Sequence, residues 1–171
     1  LMPGTYAVTE TVPVGWDLTA ATCSNGSLPR SIALGAGELV TCTFTNTNVL
    51  PTIVVTKTAN PTSVLEPGGQ VTFTFKVQNT SAEEPVAITV LTDTVDGALD
   101  GYADCKVSTM LGAGTSCEFS STRLVAGNFG DPDHVNVFTA VAKDDDGAEA
   151  TANDDAVVQI TNVASTITLV K

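Results

Sequence analysis

The chain has 171 residues, 43% of them hydrophobic and only 15% charged, below the roughly 25% charged that is usual for globular chains. Nineteen acids against seven bases give a net charge of −12, which argues against nucleic-acid or anionic-membrane binding, since both need a basic patch. One His and four Cys leave little for metal or nucleophilic chemistry, and no apolar run approaches the roughly 18 residues of a membrane span.

Leu1 is not an initiator and no signal peptide opens the chain, so the sequence reads as a piece of a longer protein. The first elements alternate with period 2. Tyr6, Val8 and Val12 alternate with Ala7, Thr9 and Thr11, and Val40, Cys42 and Phe44 alternate with Thr41, Thr43 and Thr45. Further on, Val71, Phe73, Phe75 and Val77 alternate with Thr72, Thr74, Lys76 and Gln78. Val86, Ile88 and Val90 continue the pattern, as do Val135, Val137 and Val141. Apolar-in, Thr-out alternation predicts half-buried antiparallel strands. Pro3-Gly4, Asn25-Gly26, Pro67-Gly68-Gly69, Asp96-Gly97, Asp100-Gly101 and Asp146-Gly147 supply the turns. No segment shows a helical period. The expected fold is all-β, with antiparallel β-sandwiches in tandem and essentially no helix.

Three segments are expected. Residues 1–49 hold about four strands, too few for a comfortable core of their own. Residues 50–162 hold about seven. The stretch from Thr166 to Lys171 repeats the look of Thr52 to Lys57, so 163–171 reads as the opening strand of a following module, or as a strand donated to another chain.

Cys23, Cys42, Cys105 and Cys117 contain no Cys-x-x-Cys and have no neighbouring His, which disfavours zinc. They fall into two local pairs, and Cys23–Cys42 and Cys105–Cys117 disulfides are the natural reading. Disulfides imply an oxidising, extracellular setting. Asn25-Gly26-Ser27 and Asn79-Thr80-Ser81 match the glycosylation tripeptide, no more often than chance provides in a Thr/Ser-rich chain.

Leu1, Gly4, Tyr6 and Glu10, followed by Pro13-Val14-Gly15-Trp16 and ending in Thr43-Phe44-Thr45-Asn46, resemble the prealbumin-like B-type repeats of bacterial adhesins and pilins. Residues 52–160 resemble the conserved Ig-like repeats of very large bacterial surface proteins. The pieces that carry this second resemblance are Thr56-Lys57-Thr58-Ala59-Asn60-Pro61, Glu66-Pro67-Gly68-Gly69, Asn79, Gly130-Asp131-Pro132-Asp133-His134 and Asp144-Asp145-Asp146-Gly147. The first resemblance implies a Glu that promotes a Lys–Asn isopeptide cross-link. Glu10 and Asn46 match its acid and amide. Residues 1–49 contain no Lys, so the amine would come from elsewhere, and Lys171 lies in phase with Ile167 and Leu169 as such a Lys should. The plainer reading leaves Glu10 at a strand end, solvated or bonded to backbone.

Residues 131–155 hold eight acids. Asp131, Asp133, Asp144, Asp145 and Asp146 form a candidate Ca²⁺ set, because Ca²⁺ takes six to eight oxygens converging from loops. Their spacing is not that of an EF-hand, and a solvated hairpin tip is the plainer reading. His134 beside Asp133 has no nucleophile elbow to serve. Tyr6, Trp16, Tyr102 and Phe129 are candidates for a sugar-stacking platform.

The sequence thus leads to a non-catalytic extracellular structural module, the spacer or shaft of a cell-surface adhesin or filament. Its partners would be neighbouring repeats or copies of itself, with no nucleic acid and no membrane insertion. The alternative is a Ca²⁺-dependent module that binds a carbohydrate or a surface protein.

Overall fold

The computed structural model describes residues 1–102 and 104–171. They are all-β, with no helix among them. The chain divides into two compact units, 1–50 and 51–171.

The first unit contains β1 (Gly4–Tyr6), β2 (Trp16–Cys23), β3 (Ile32–Leu34) and β4 (Cys42–Asn48). They pair as two antiparallel ribbons, β1 with β3 and β2 with β4. The Cys23–Cys42 disulfide joins the last register pair of the second ribbon. Little is buried here: Cys23, Pro29 and Ile32 are its apolar side chains below a tenth exposure. Leu18, Leu28 and Leu39 remain exposed. A unit this small cannot bury enough apolar surface to offset its chain entropy comfortably, so a staple carries more of its stability.

The second unit contains β5 (Ile53–Asn60), β6 (Ser63–Leu65), β7 (Gly68–Asn79), β8 (Val86–Asp93), β9 (Gly97–Ala98), β10 (Gly101–Tyr102), β11 (Cys105–Lys106), β12 (Met110–Leu111), β13 (Ser116–Ala126), β14 (His134–Lys143) and β15 (Glu149–Thr161). One sheet runs β12-β8-β14-β15-β6, with β9 paired to β8; the other runs β13-β7-β5. The β15–β6 pairing is parallel. Both sheets send side chains into one core. Val71, Phe73, Phe75 and Val77 line it from β7, as their alternation predicts. Phe75 stacks on Phe119 at 4.8 Å and meets Phe138 edge-on at 5.1 Å.

β14 inverts its sequence reading. Val135 is exposed and Val137 and Val141 are half-buried, while Asn136, Phe138, Ala140 and Ala142 are fully enclosed. The valines pack the outer face, where β-branched side chains also suit a pleated surface. Alanine is the small residue that lets the two sheets approach. The Asn79 tripeptide is likewise unavailable to a glycan, since Asn79 is completely buried. At Gly68 the backbone is left-handed, and a Cβ there would collide with the Val125 carbonyl, which fixes glycine where β7 starts against β13.

The Cys105–Cys117 disulfide ties β11 to the start of β13, and Cys105 is buried in the core. Replacing both cysteines with Ala should lower the stability of this unit by about 3 kcal/mol, the chain-entropy value for a loop of this length. Urea unfolding of the variant beside the parent chain measures it. Residues 163–171, read from the sequence as an opening strand, carry no β-pairing within this chain and are exposed.

Candidate functional site

The core of the second unit is apolar except at one place. Lys57 lies on β5 in phase with Ile53 and Val55, so its side chain enters the core. Its Nζ is 2.6 Å from Asp93 Oδ2, and both side chains are wholly buried. Nζ also sits 5.1 Å from the ring centres of Phe73 and Phe75, within cation–π range. Burial pulls the Lys57 ammonium below its ordinary value, and the hydrogen bond and charge of Asp93 oppose that pull.

A bulge aims Asp93 inward. Along β8, Val86 and Ile88 are buried, and strict alternation would then send Val90 in and Asp93 out. Instead the register with β14 shifts, Ile88 facing Ala142 and Val90 facing Val141. Thr89 and Val90 both turn outward, and Leu91 and Asp93 turn in. One extra residue re-phases everything after it. Asp93 Oδ1 then accepts the backbone N–H groups of Val95 and Asp96, at 2.9 and 3.0 Å. These bonds fix the carboxylate without using the oxygen that faces Lys57.

Asn136, on β14, is the third member. It is fully buried, and its Nδ2 has no hydrogen-bond partner. Its Oδ1 accepts from Thr94 Oγ1 at 3.4 Å. Asn136 stands between His134 and Phe138 on the inner face of β14. The His134 ring is 6.1 Å from Phe73, and the Phe138 ring is 5.1 Å from Phe75. The two rings that flank the Lys57 amine therefore contact the two neighbours of Asn136. Burial, then Arg123 and Lys57, push the His134 imidazole below its ordinary value, and its Nε2 is buried without a partner. A basic amine and a carboxylate are thus paired out of reach of water, and a fully buried primary amide lies on the core face of β14. An amine–carboxylate pair can move a proton, and an amide carbonyl is an acceptor for an amine nucleophile.

The sequence-derived candidates fall elsewhere. In the first unit, Asn46 Nδ2 donates to Glu10 Oε1 at 2.8 Å, so these two do meet. Glu10 Oε2 and Asn46 Oδ1 are buried with no partner. Glu10 borders a cleft of about 350 Å³ with Val8, Leu18, Pro29 and Phe44. Lys171 is exposed in the unpaired tail of the second unit. The acids divide. Asp131 and Asp133 precede β14 and Asp144, Asp145 and Asp146 follow it, so ten residues of strand, about 30 Å at the usual rise, separate them. Asp131 Oδ2 is occupied by the Asn128 N–H at 2.7 Å. Asp145 and Asp146 instead lie beside Glu84, which sequence reasoning did not single out. Both disulfides join the cysteines that spacing paired. Tyr102, in β10, and Phe129, between β13 and β14, are both exposed; the Tyr102 ring lies 6.5 Å from that of Phe119, and no ring contact joins it to Phe129 among the described residues.

Lys57, Asp93 and Asn136, like Glu84, were not singled out as site residues by the sequence. Period 2 from Ile53 and Val55 puts Lys57 on the core face, so that half was available from the sequence. The bulge that turns Asp93 inward has no such signal.

No family model matches the chain, and no curated protein matches it. Among solved structures, it is similar to a chain described as an ApaA protein from Bordetella pertussis, with 16% identity, a TM-score of 0.39, and coverage of 64% of this chain and 93% of that one.

Proposed function

We propose that the chain is part of an extracellular structural protein, a non-catalytic spacer or shaft segment built from an incomplete prealbumin-like sandwich followed by an Ig-like one. One observation carries the reading: the reactive groups of the second unit, Lys57, Asp93 and Asn136, are buried where no outside substrate can reach them. Such a set can act only on the protein that encloses it. Two disulfides suit the oxidising setting outside a cell, and the acidic, Thr-rich surface suits solubility without adhesion between shafts.

The reaction open to the set is a cross-link. Neutral Lys57 Nζ attacks Asn136 Cγ and a C–N bond forms. The Cγ–Nδ2 bond breaks and Nδ2 leaves as ammonia. Asp93 takes the proton from the attacking amine and returns it to the leaving nitrogen. No oxidant, metal or second substrate is required. The link would fasten β5, the first strand of the unit, to β14, so that tension between the ends bypasses most of the fold.

Intact mass spectrometry of the denatured chain tests this. A mass about 17 Da below the disulfide-bonded sequence, one ammonia, with a fragment joining the peptides of Lys57 and Asn136, is the expected result. Full mass in the wild-type chain, unchanged by Asp93→Ala, would overturn the cross-link and leave a buried ion pair.

Assembly is the second part of the reading. The Glu10–Asn46 hydrogen bond lies at an apolar cleft in a unit that has no Lys. A strand carrying Lys171, from a following module or another copy, would complete that sheet. If copies associate head to tail, deleting residues 163–171 should abolish larger species in light scattering. Unchanged association would exclude donation of that strand between copies.

A further inference from the structure

The end of the second unit where β7 leads to β8 and β14 turns into β15 contains a buried carboxylate with no N–H, hydroxyl or basic group to satisfy it. Glu84 is 1% exposed. Neither of its carboxylate oxygens receives a hydrogen bond from any N–H or O–H group, and no Lys or Arg among the described residues forms an ion pair with it. The fold holds it there on purpose-built contacts. Asn79 Nδ2 donates to the Glu84 carbonyl at 2.7 Å and to the Leu111 carbonyl at 3.0 Å, and Asn79 Oδ1 accepts the Ser81 N–H at 2.9 Å. Ser81 Oγ in turn accepts the Thr52 N–H at 2.9 Å. The loop backbone is therefore fixed by a fully buried Asn, which sets the direction in which the Glu84 side chain leaves it.

Around Glu84 stand more acids. One oxygen each from Glu84, Asp145 and Asp146 lie within 4.8 Å of one another. Asp144 is 8% exposed; its Oδ1 accepts the Ala148 N–H at 2.7 Å, which shapes the hairpin tip, and its Oδ2 is buried without a partner. The nearest basic residue along the strand, Lys143, pairs with Glu149 at 3.7 Å. Burial, and then the charges of Asp145, Asp144 and Asp146, raise the Glu84 carboxyl above its ordinary value. A carboxylate so placed must keep a proton or share a cation.

We propose that Glu84, Asp145 and Asp146, with Asp144 beside them, form a Ca²⁺ site that pins the β14–β15 hairpin to the β7–β8 connection. The dimensions suit the ion. Oxygens on opposite sides of a Ca²⁺ with bonds of about 2.4 Å stand about 4.8 Å apart. All the donors are carboxylates, without His or Cys, which selects a hard cation. They come from a loop and a hairpin tip rather than from a rigid octahedral frame, which favours Ca²⁺ over Mg²⁺. The site differs from the five-Asp set read from the sequence, because Asp131 and Asp133 are at the other end of β14 and the buried ligand is a Glu from a different loop. It is independent of the cross-link and of the spacer reading.

Calorimetric titration of the full chain with CaCl₂ tests it, beside Glu84→Gln and Asp145→Asn. Glu84→Gln removes a buried charge and Asp145 is exposed, so both variants should fold, which circular dichroism checks. The expected result is one saturable site per chain, with a dissociation constant of about 10⁻⁴–10⁻³ M, weakened about tenfold or more in each variant. Thermal melting in Ca²⁺ against chelator should show a rise for the parent chain that Glu84→Gln loses. Absence of saturable binding up to about 10 mM, above the weakest extracellular affinity class, would overturn the site, as would Glu84→Gln binding that equals the parent. MgCl₂ binding as tight as CaCl₂ would overturn the choice of ion.

Discussion

Asp93→Ala should destabilise the second unit by about 3–5 kcal/mol, the cost of leaving one partner of a buried ion pair uncompensated. Three losses combine. Lys57 keeps its position on β5 but loses the carboxylate at 2.6 Å. The Val95 and Asp96 N–H groups lose the oxygen that accepts them. The rings of Phe73 and Phe75 remain beside the amine, but a cation–π contact is worth about 0.5–2 kcal/mol and cannot replace a counter-ion. The companion variant Lys57→Met with Asp93→Asn should retain most of the stability, because it removes the charge and keeps an acceptor for the two N–H groups. Chemical unfolding of both variants decides. An Asp93→Ala midpoint equal to the parent would show that the pair does not hold the core together.

Phe75→Ala is expected to be as severe, about 3–5 kcal/mol. Phe75 has no exposed surface. It joins the sheets, stacking on Phe119 of β13 and meeting Phe138 of β14 edge-on. It also pairs directly with Lys57 across β5 and β7. The cavity left by the ring would open beside the buried Lys57–Asp93 pair and admit water, so the backbone amides of β5 around Lys57 should exchange faster with solvent. Denaturant titration gives the first effect, and hydrogen exchange followed by peptide mapping gives the second.

What the sequence disclosed depended on whether a strand keeps strict phase. β7 does, and its four core residues were legible at once. β4 and β5 also do. β14 was read in the wrong phase because three valines outweighed two alanines and an Asn, although a narrow space between sheets favours the small residues. The acids illustrate the same limit. Proximity along the chain grouped Asp131 with Asp144, yet an extended ten-residue strand separates its ends by its full length. Glu84 was invisible because a Glu-Glu pair before a strand ordinarily faces solvent, and the Asn79 bond that fixes its backbone spans five residues of loop without a sequence signal. Disulfide pairing was legible because short spacing left few alternatives.

The bulge at Thr89 and Val90 makes β8 behave like a reading frame. Substitutions at those two outward positions alter one side chain each and leave the rest of the strand in place. A deletion of either one is a different kind of change, since it removes the extra residue and the bulge with it. Strict alternation from Ile88 would then still send Leu91 and Asp93 inward, toward Lys57. With two residues between Ile88 and Leu91 it is the bulge that keeps the carboxylate in the core; with one residue between them plain alternation would do so.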